Sequence, residues 1–553
     1  MSRKAQVACL LAGVMLVAVA FRFYDLQNYP PGLFPDEAAN GEDAQLILAG
    51  DVRPFYERNN GREALFFYLQ ALMVWLFGVG VWQMHAASAV VGTLTILAIY
   101  FATRIWFGKL AGLLAALLLA TSHWHVTLSR TGFRAIMVPL FVALFTAAVG
   151  YTIAAVRRRA YGRSYGYAIL AGLAFAGGFY TYIAYRVIVG VVGGIVLLLG
   201  LAALHPNIGW PHFRRYGTQL LVGLGAALFA LLPLAVYFVD HPADLVGRAG
   251  QVSVFNPQLQ DQFGGGTLAG TILYSLRETL LSFFVGEGDR NWRHAVAGFP
   301  LLNPLVGFLF LLGVAWSLRG LSWVFLKIRR GDEVHLGMIY PYLLLLLVGM
   351  LLPVITTAEG MPHALRSVGL IFPIFCLAGT AAAVVVRWLA ARWQAVAVGL
   401  AVGALSVAAL YDGALYFGVS RNEAAAHGAY RADLTEVVRY IRTREDTPYL
   451  VLDDFSLQTP HFLLSDAAGE HYRTVAPEHS YEVALKAGEI IIFTQSTLSD
   501  ADRYAAAHAE VHVVEVRHNR FGQEIMRVYG RQANGGEVEG SQDTDGRRSD
   551  LDA

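Results

Sequence analysis

Apolar runs of bilayer-spanning length recur along the chain, near residues 6–23, 84–104, 109–123, 134–156, 165–182, 186–204, 217–239, 301–323, 336–356, 367–387 and 393–415. Each approaches the ~20 residues that a helix needs to cross hydrocarbon. The pattern predicts eleven transmembrane helices. Basic residues orient them. With the N-terminus inside, the loops on that face hold Arg104 and Lys109; Arg157, Arg158, Arg159 and Arg163; Arg214 and Arg215; Lys327, Arg329 and Arg330; and Arg387 and Arg392. Cytoplasmic loops collect such charge. One further run, Ala64 to Gly80, is only about 17 residues long, at the lower limit for spanning, and counting it would invert every later loop. It is predicted to be a juxtamembrane helix on the outer face, with Trp75 and Trp82 near the headgroups. The first run follows Met1-Ser2-Arg3-Lys4 without a small-residue cleavage site before Phe21-Arg22-Phe23-Tyr24, so it reads as a retained anchor.

After residue 416 the pattern changes to that of a soluble domain. Ala432 to Arg444 has helical periodicity, and Tyr449–Leu452, Ile490–Phe493 and Val511–Val516 read as short strands. From Gln532 onward the chain lacks apolar residues and is expected to be disordered. The predicted fold is a polytopic α-helical membrane protein with about eleven transmembrane helices plus juxtamembrane helices, and a small extracytoplasmic α/β C-terminal domain. Its expected divisions are 1–418, 419–531 and 532–553.

Composition agrees. Of 553 residues, 56% are hydrophobic and 15% charged, too apolar for a soluble protein of this length. A net charge of +1 points neither to nucleic acid nor to an acidic partner. Cys9 and Cys376 both fall inside apolar runs, which argues against a disulfide framework. Gly264-Gly265-Gly266 is not followed by Lys-Ser/Thr and is no phosphate loop.

The candidate chemistry lies in the outer loops 24–63, 124–133, 240–300 and 357–366. Asp36 and Glu37 follow the Pro30-Pro31-Gly32 turn. They read either as carboxylates able to take a proton from an arriving substrate or as a solvated cap with Asp36 at the N-cap. Arg62 and Glu63 read as an interfacial ion pair or as a lining of the substrate path. In the turn Ser122-His123-Trp124-His125 to Arg134, the side chains of His123, His125 and Arg130 supply donors suited to a phosphate. Glu359, His363 and Arg366 cluster in the last loop, where Arg366 can neutralise an anionic leaving group. Asp289, Trp292, Arg293 and His294 offer polar and aromatic groups for a sugar, or make an ordinary surface loop.

Together, Pro35-Asp36-Glu37-Ala38, Gly61-Arg62-Glu63-Ala64-Leu65-Phe66-Phe67-Tyr68-Leu69, Leu76-Phe77-Gly78 and the Ser-His-Trp-His…Ser-Arg-x-Gly-Phe-Arg turn (122–134) resemble the C-type membrane glycosyltransferases. The similarity is to the bacterial protein O-mannosyltransferase and aminoarabinose-transferase branch, over residues 1 to about 415. The resemblance implies a polyprenyl-phosphate sugar as donor, juxtamembrane helices after the first span, and Asp36 as base. Related enzymes carry an acidic residue where this chain has Arg134, so a site with two or three carboxylates around a metal is not implied; Asp36 and Glu359 could still share a divalent cation.

The resulting expectation is a hexosyl- or pentosyltransferase of the plasma (inner) membrane, acting outside the cytoplasm by inverting single displacement. Asp36 is the expected base, and Arg366, His125 and Arg130 are expected to stabilise the departing polyprenyl phosphate. The expected partners are the lipid-linked donor, membrane lipid and a protein, lipid or glycan acceptor. Two rivals stand beside it. A lipid-linked glycan flippase would place ionisable groups deep in the spans, and a non-catalytic assembly protein would leave the outer-loop charges scattered.

Overall fold

A computed structural model describes residues 2–58, 61–208, 214–245, 253–332, 337–357, 360–466 and 471–531. Glu359 and the tail from Gln532 lie outside the described residues. The chain divides into two compact units, Met1–Ala432 with His461–Asp466, and Asp433–Pro460 with Ala467–Ala553.

In the first unit the helices are α1 Arg3–Phe23, α2 Pro35–Leu48, α3 Leu65–Phe77, α4 Val81–Phe107, α5 Lys109–Thr121, α6 His123–Ser129, α7 Met137–Arg157, α8 Tyr161–Gly178, α9 Ile188–Ala203 and α10 Gly217–Asp240. They continue with α11 Pro257–Gly264, α12 Leu268–Phe284, α13 Pro304–Arg330, α14 Ile339–Ile355, α15 Ile371–Ala390 and α16 Gln394–Gly413. A helix overlies each of the eleven apolar runs. Among the described residues, eight helices are long and apolar enough to cross a membrane, or nine if α5 and α6, bent by 65°, form one broken span. The other two, α8 and α14, are helices of 18 and 17 residues. The run after Ala64 is the 13-residue α3, too short to span.

Burial sorts these helices. In its most apolar stretch α15 is 89% buried, whereas α10 and α16 are each 11% buried. Leu220, Leu224, Leu228 and Phe229 on α10 are exposed, an apolar face suited to lipid. Between apolar helices in hydrocarbon, attraction comes from close packing rather than from expelled water, so small residues mark the tight crossings. A Cβ on Gly379 of α15 would stand 2.5 Å from the backbone nitrogen of Ala115 on α5, and one on Gly172 of α8 would stand 2.1 Å from the Gly223 carbonyl oxygen on α10.

The end of this unit differs from the expected limit at 418. After α16 the chain packs back onto the first loop. Tyr416 and Tyr430 are fully buried, with ring centroids 5.4 and 6.2 Å from Tyr29. That aromatic cluster holds residues 419–432 within the helical unit.

The second unit carries a five-stranded sheet. Its strands are β1 Tyr449–Val451, β2 Arg473–Val475, β3 Ile490–Thr494, β4 Val511–His518 and β5 Glu524–Arg531, in spatial order β2-β1-β3-β5-β4. β1 runs parallel to β2 and β3, while β5 pairs antiparallel with β3 and β4. The central β3 is buried along its whole length, which explains its unbroken apolar sequence. β2 and β5 are additions to the sequence reading. In β5, Glu524 and Arg527 interrupt the apolar pattern because they bond to each other rather than face water alone.

Replacing Gly379 by Val should force α5 and α15 apart and cost about 1–3 kcal/mol by overpacking. The check is a lower thermal unfolding midpoint of the detergent-solubilised protein, with helix content retained at low temperature.

Candidate functional site

Two arginines organise the end of the bundle where α1 finishes. A helix leaves its last carbonyls without intrahelical partners, and in an apolar setting each needs a donor. Arg130 supplies them to α1: Nη1 donates to the carbonyls of Phe21 and Arg22 at 3.3 and 2.9 Å, Nη2 to that of Tyr29 at 2.6 Å, and Nε to the Tyr416 hydroxyl at 3.2 Å. Arg22 does the same for α5. Its Nη1 donates to the Ala120 carbonyl at 2.9 Å, and its Nη2 lies 2.7 Å from His125 Nδ1. The expected phosphate clamp is therefore corrected. Arg130, His125 and His123 are all fully buried. His123 Nε2 lies 3.0 Å from the Pro300 carbonyl oxygen, and Arg130 spends its donors on protein acceptors.

The first loop is held by one face of α2. Its N-cap is Phe34, not Asp36; Asp36 and Glu37 occupy the first turn behind Pro35. Glu37 is fully buried. Its Oε2 accepts from the Phe34 N–H at 3.0 Å and its Oε1 from the Gly132 N–H, with His85 Nε2 at 3.5 Å. One turn on, the Asn40 side chain donates to the Gly132 carbonyl at 3.2 Å. Both backbone groups of Gly132 are thus gripped by residues three apart on one helix face. A Cβ there would lie 3.0 Å from Glu37 Oε1. Burial pushes the Glu37 carboxyl up, but His85 and the two backbone donors outweigh it and hold it below its ordinary value. Glu37, expected at the water-facing surface beside Asp36, is an internal strut. Asp36 itself is half-buried.

Arg62 and Glu63 also turn inward. Arg62 bonds to Asn40 and Asp43 and lies over the Phe67 ring at 5.0 Å. Glu63 faces Arg186 at 3.2 Å and Arg134 at 3.5 Å, so the arginine at the position where relatives were expected to be acidic pairs with this glutamate. Their expected place on a substrate path is replaced by buried ion pairs that hold the first loop to its neighbours.

The loop between α12 and α13 presents its side chains through two successive Asx turns. Asp289 Oδ1 accepts from the Asn291 N–H at 2.8 Å, and Asn291 Oδ1 from the Arg293 N–H at 3.1 Å. Arg293 then lies flat on Phe34, its guanidinium carbon 3.4 Å from the ring centroid, with Phe133 at 5.6 Å. Burial lowers its pKa, against the opposing pull of Glu37 and Asp36. His294 packs between Phe133, at 5.8 Å, and the His363 ring, stacked at 4.6 Å. Burial lowers the pKa of His294 too, against its bond to Asp289, and Arg366 adds a repulsive charge. Beside this cluster opens a cavity of about 990 Å³, lined by Phe34, Asp289, Trp292, Arg293 and Pro362 among others. Residues from four loops meet here: Asp36 acts electrostatically on Arg293, and Arg366 on His294.

Residues 64–237 match the family described as dolichyl-phosphate-mannose-protein mannosyltransferase. The whole chain is similar to ArnT from Cupriavidus metallidurans bound to undecaprenyl phosphate, with TM-score 0.54 and 16% identity, covering 98% of this chain and 100% of that one. For the apo state of the same protein the TM-score is 0.53 at 14% identity, covering 96% and 98%. The fold is the one seen in these ArnT structures. A lower similarity, TM-score 0.49 at 14% identity over 98% of this chain and 75% of that one, links it to the oligosaccharyltransferase AglB from Archaeoglobus fulgidus in complex with an inhibitory peptide and a dolichol-phosphate. No curated protein matches the chain by sequence.

Several residues at the site were not singled out from the sequence. Arg22, His85 and Gln70 are fully buried polar residues on apolar helices. A polar side chain inside such a helix was the available signal. Phe34 and Phe133 carry no signal of their own; only the fold makes them the walls around Arg293.

Arg130→Lys should cost about 2–4 kcal/mol, because an ammonium cannot reach four acceptors at once, and should lower the unfolding midpoint. Glu37→Gln should remove a pH dependence. Since the folded carboxyl sits below its ordinary value, its stabilisation is complete above roughly pH 4.3 and is lost as pH falls through the folded value. Unfolding midpoints of wild type and variant, measured from roughly pH 3 to pH 6, should therefore converge at the acid end.

Proposed function

We propose that this chain transfers a sugar from a polyprenyl-phosphate donor to an acceptor hydroxyl on the extracytoplasmic side of the membrane, with inversion at the anomeric carbon. The observation that carries the reading is that Arg293, on the wall of the 990 Å³ cavity, feels the charge of Asp36, in a fold shared with a protein bound to undecaprenyl phosphate. Sugar nucleotides are scarce outside the cytoplasm, so a transferase there draws on a lipid-borne sugar, and the loop charges orient the site outward.

In this reading Asp36 takes the proton of the acceptor hydroxyl as its oxygen bonds to the anomeric carbon. The bond from that carbon to the phosphate oxygen breaks on the opposite face, and polyprenyl phosphate leaves with the electron pair. Arg293 and Arg366 offset the charge that develops on the phosphate; they take over the task first assigned to Arg130 and His125. Arg293 suits it because Phe34 and Phe133 pack against its guanidinium while it still borders the cavity. Trp292, also on the cavity wall, offers an aromatic face to the sugar.

The test is incubation of the purified protein in sealed proteoliposomes with a panel of polyprenyl-phosphate sugars, following release of polyprenyl phosphate and movement of donor between leaflets. Wild type should release it, and Asp36→Asn should lower the rate by about 10²–10⁴-fold with little change in unfolding midpoint. Near-normal turnover in that variant would remove Asp36 as base. Donor movement across the bilayer without release would favour the flippase.

A further inference from the structure

We infer that Asp289, His294 and His363 form a binding site for a divalent transition metal of the zinc class. Their three ligand atoms lie within 4.8 Å of one another, the one such grouping of three or more among the described residues. Two imidazoles and one carboxylate are a donor set that zinc accepts, with a fourth position left for water or a ligand. Bonds of about 2.0–2.1 Å to a tetrahedral ion bring donors to about 3.3 Å apart.

The surroundings match what holds a ligand set in place. Asp289 Oδ2 accepts the Ala364 N–H at 2.7 Å and lies 3.0 Å from His294 Nδ1, so a backbone donor fixes the carboxylate from behind. Asp289 and His294 are buried, and Asp289 also borders the 990 Å³ cavity, which gives the fourth position an open side. The positive charges of Arg293 and Arg366 both act on His294, so the carboxylate is the group that makes a cation tolerable here. Asp289 and His294 belong to the loop before α13, and His363 to the loop before α15. A bound ion would therefore pin together two loops that converge on the cavity, 69 residues apart between His294 and His363. The inference does not depend on sugar transfer.

Full-length protein in detergent, with any affinity tag removed and metal stripped by chelation, is titrated with ZnCl₂ alone by calorimetry, and with CoCl₂ followed by visible absorption. One saturable equivalent is expected in the micromolar range or tighter, with the intense d–d bands of low-coordinate cobalt. Asp289→Asn keeps an oxygen for only one of the two backbone N–H groups that Asp289 holds, so its metal-free unfolding midpoint is measured beside that of wild type; it should weaken binding by about 10–100-fold, and His363→Gln should do the same. The inference is overturned if wild type shows no saturable binding, or if both variants bind as wild type does while their metal-free unfolding midpoints match it.

Discussion

The structure at the functional end depends on how two interrupted helices have their carbonyls satisfied. α1 ends, and α5 breaks into α6, and at each interruption freed carbonyls are met by buried arginines. Arg130, at the end of α6, answers the first interruption, and Arg22, on α1, the second. A hydrogen bond from a charged donor contributes roughly 1.5–3 kcal/mol, and here several act on one guanidinium. The exchange locks the first span to the turn at 122–134, and every loop that carries candidate chemistry is placed relative to that joint.

From the joint the constraint passes outward through Gly132. Its N–H and carbonyl are held by Glu37 and Asn40, so α2 cannot rotate without breaking both bonds. The rotation of α2 sets where Asp36 points, and Phe34 at its N-cap becomes the platform for Arg293. Buried acids and bases here therefore divide by task. Those with several fixed partners, Glu37, Arg62, Glu63 and Arg130, build the frame. Asp289, Trp292 and Arg293 border an open volume and are the ones a ligand can reach.

This division accounts for the errors of the sequence reading at the site. His123, His125 and Arg130 have the residue types of a phosphate site, and nothing in their spacing distinguishes donors aimed at a ligand from donors aimed at a helix end. Arg62 and Glu63 read from the sequence as an interfacial ion pair or as a path lining, and each instead pairs elsewhere, with Asp43, Arg134 and Arg186, 19 to 123 residues away in the chain.

The sequence by itself determined the membrane character, the helices over its apolar runs, the surface helix that does not span, and an α/β unit after them. These follow from hydrophobic length and period, which are local properties. It also put Asp36, Arg293, His294, His363 and Arg366 on a short roster of candidates. Only the tertiary structure decided which candidates converge, because a hydrogen bond across more than 100 residues, such as Arg22 to His125 or Arg130 to Tyr416, leaves no periodic trace. The extent of the helical unit was decided the same way. The packing of Tyr29, Tyr416 and Tyr430 keeps residues 419–432 with the helices, and a contact between rings so far apart in the chain exists only once the fold has formed.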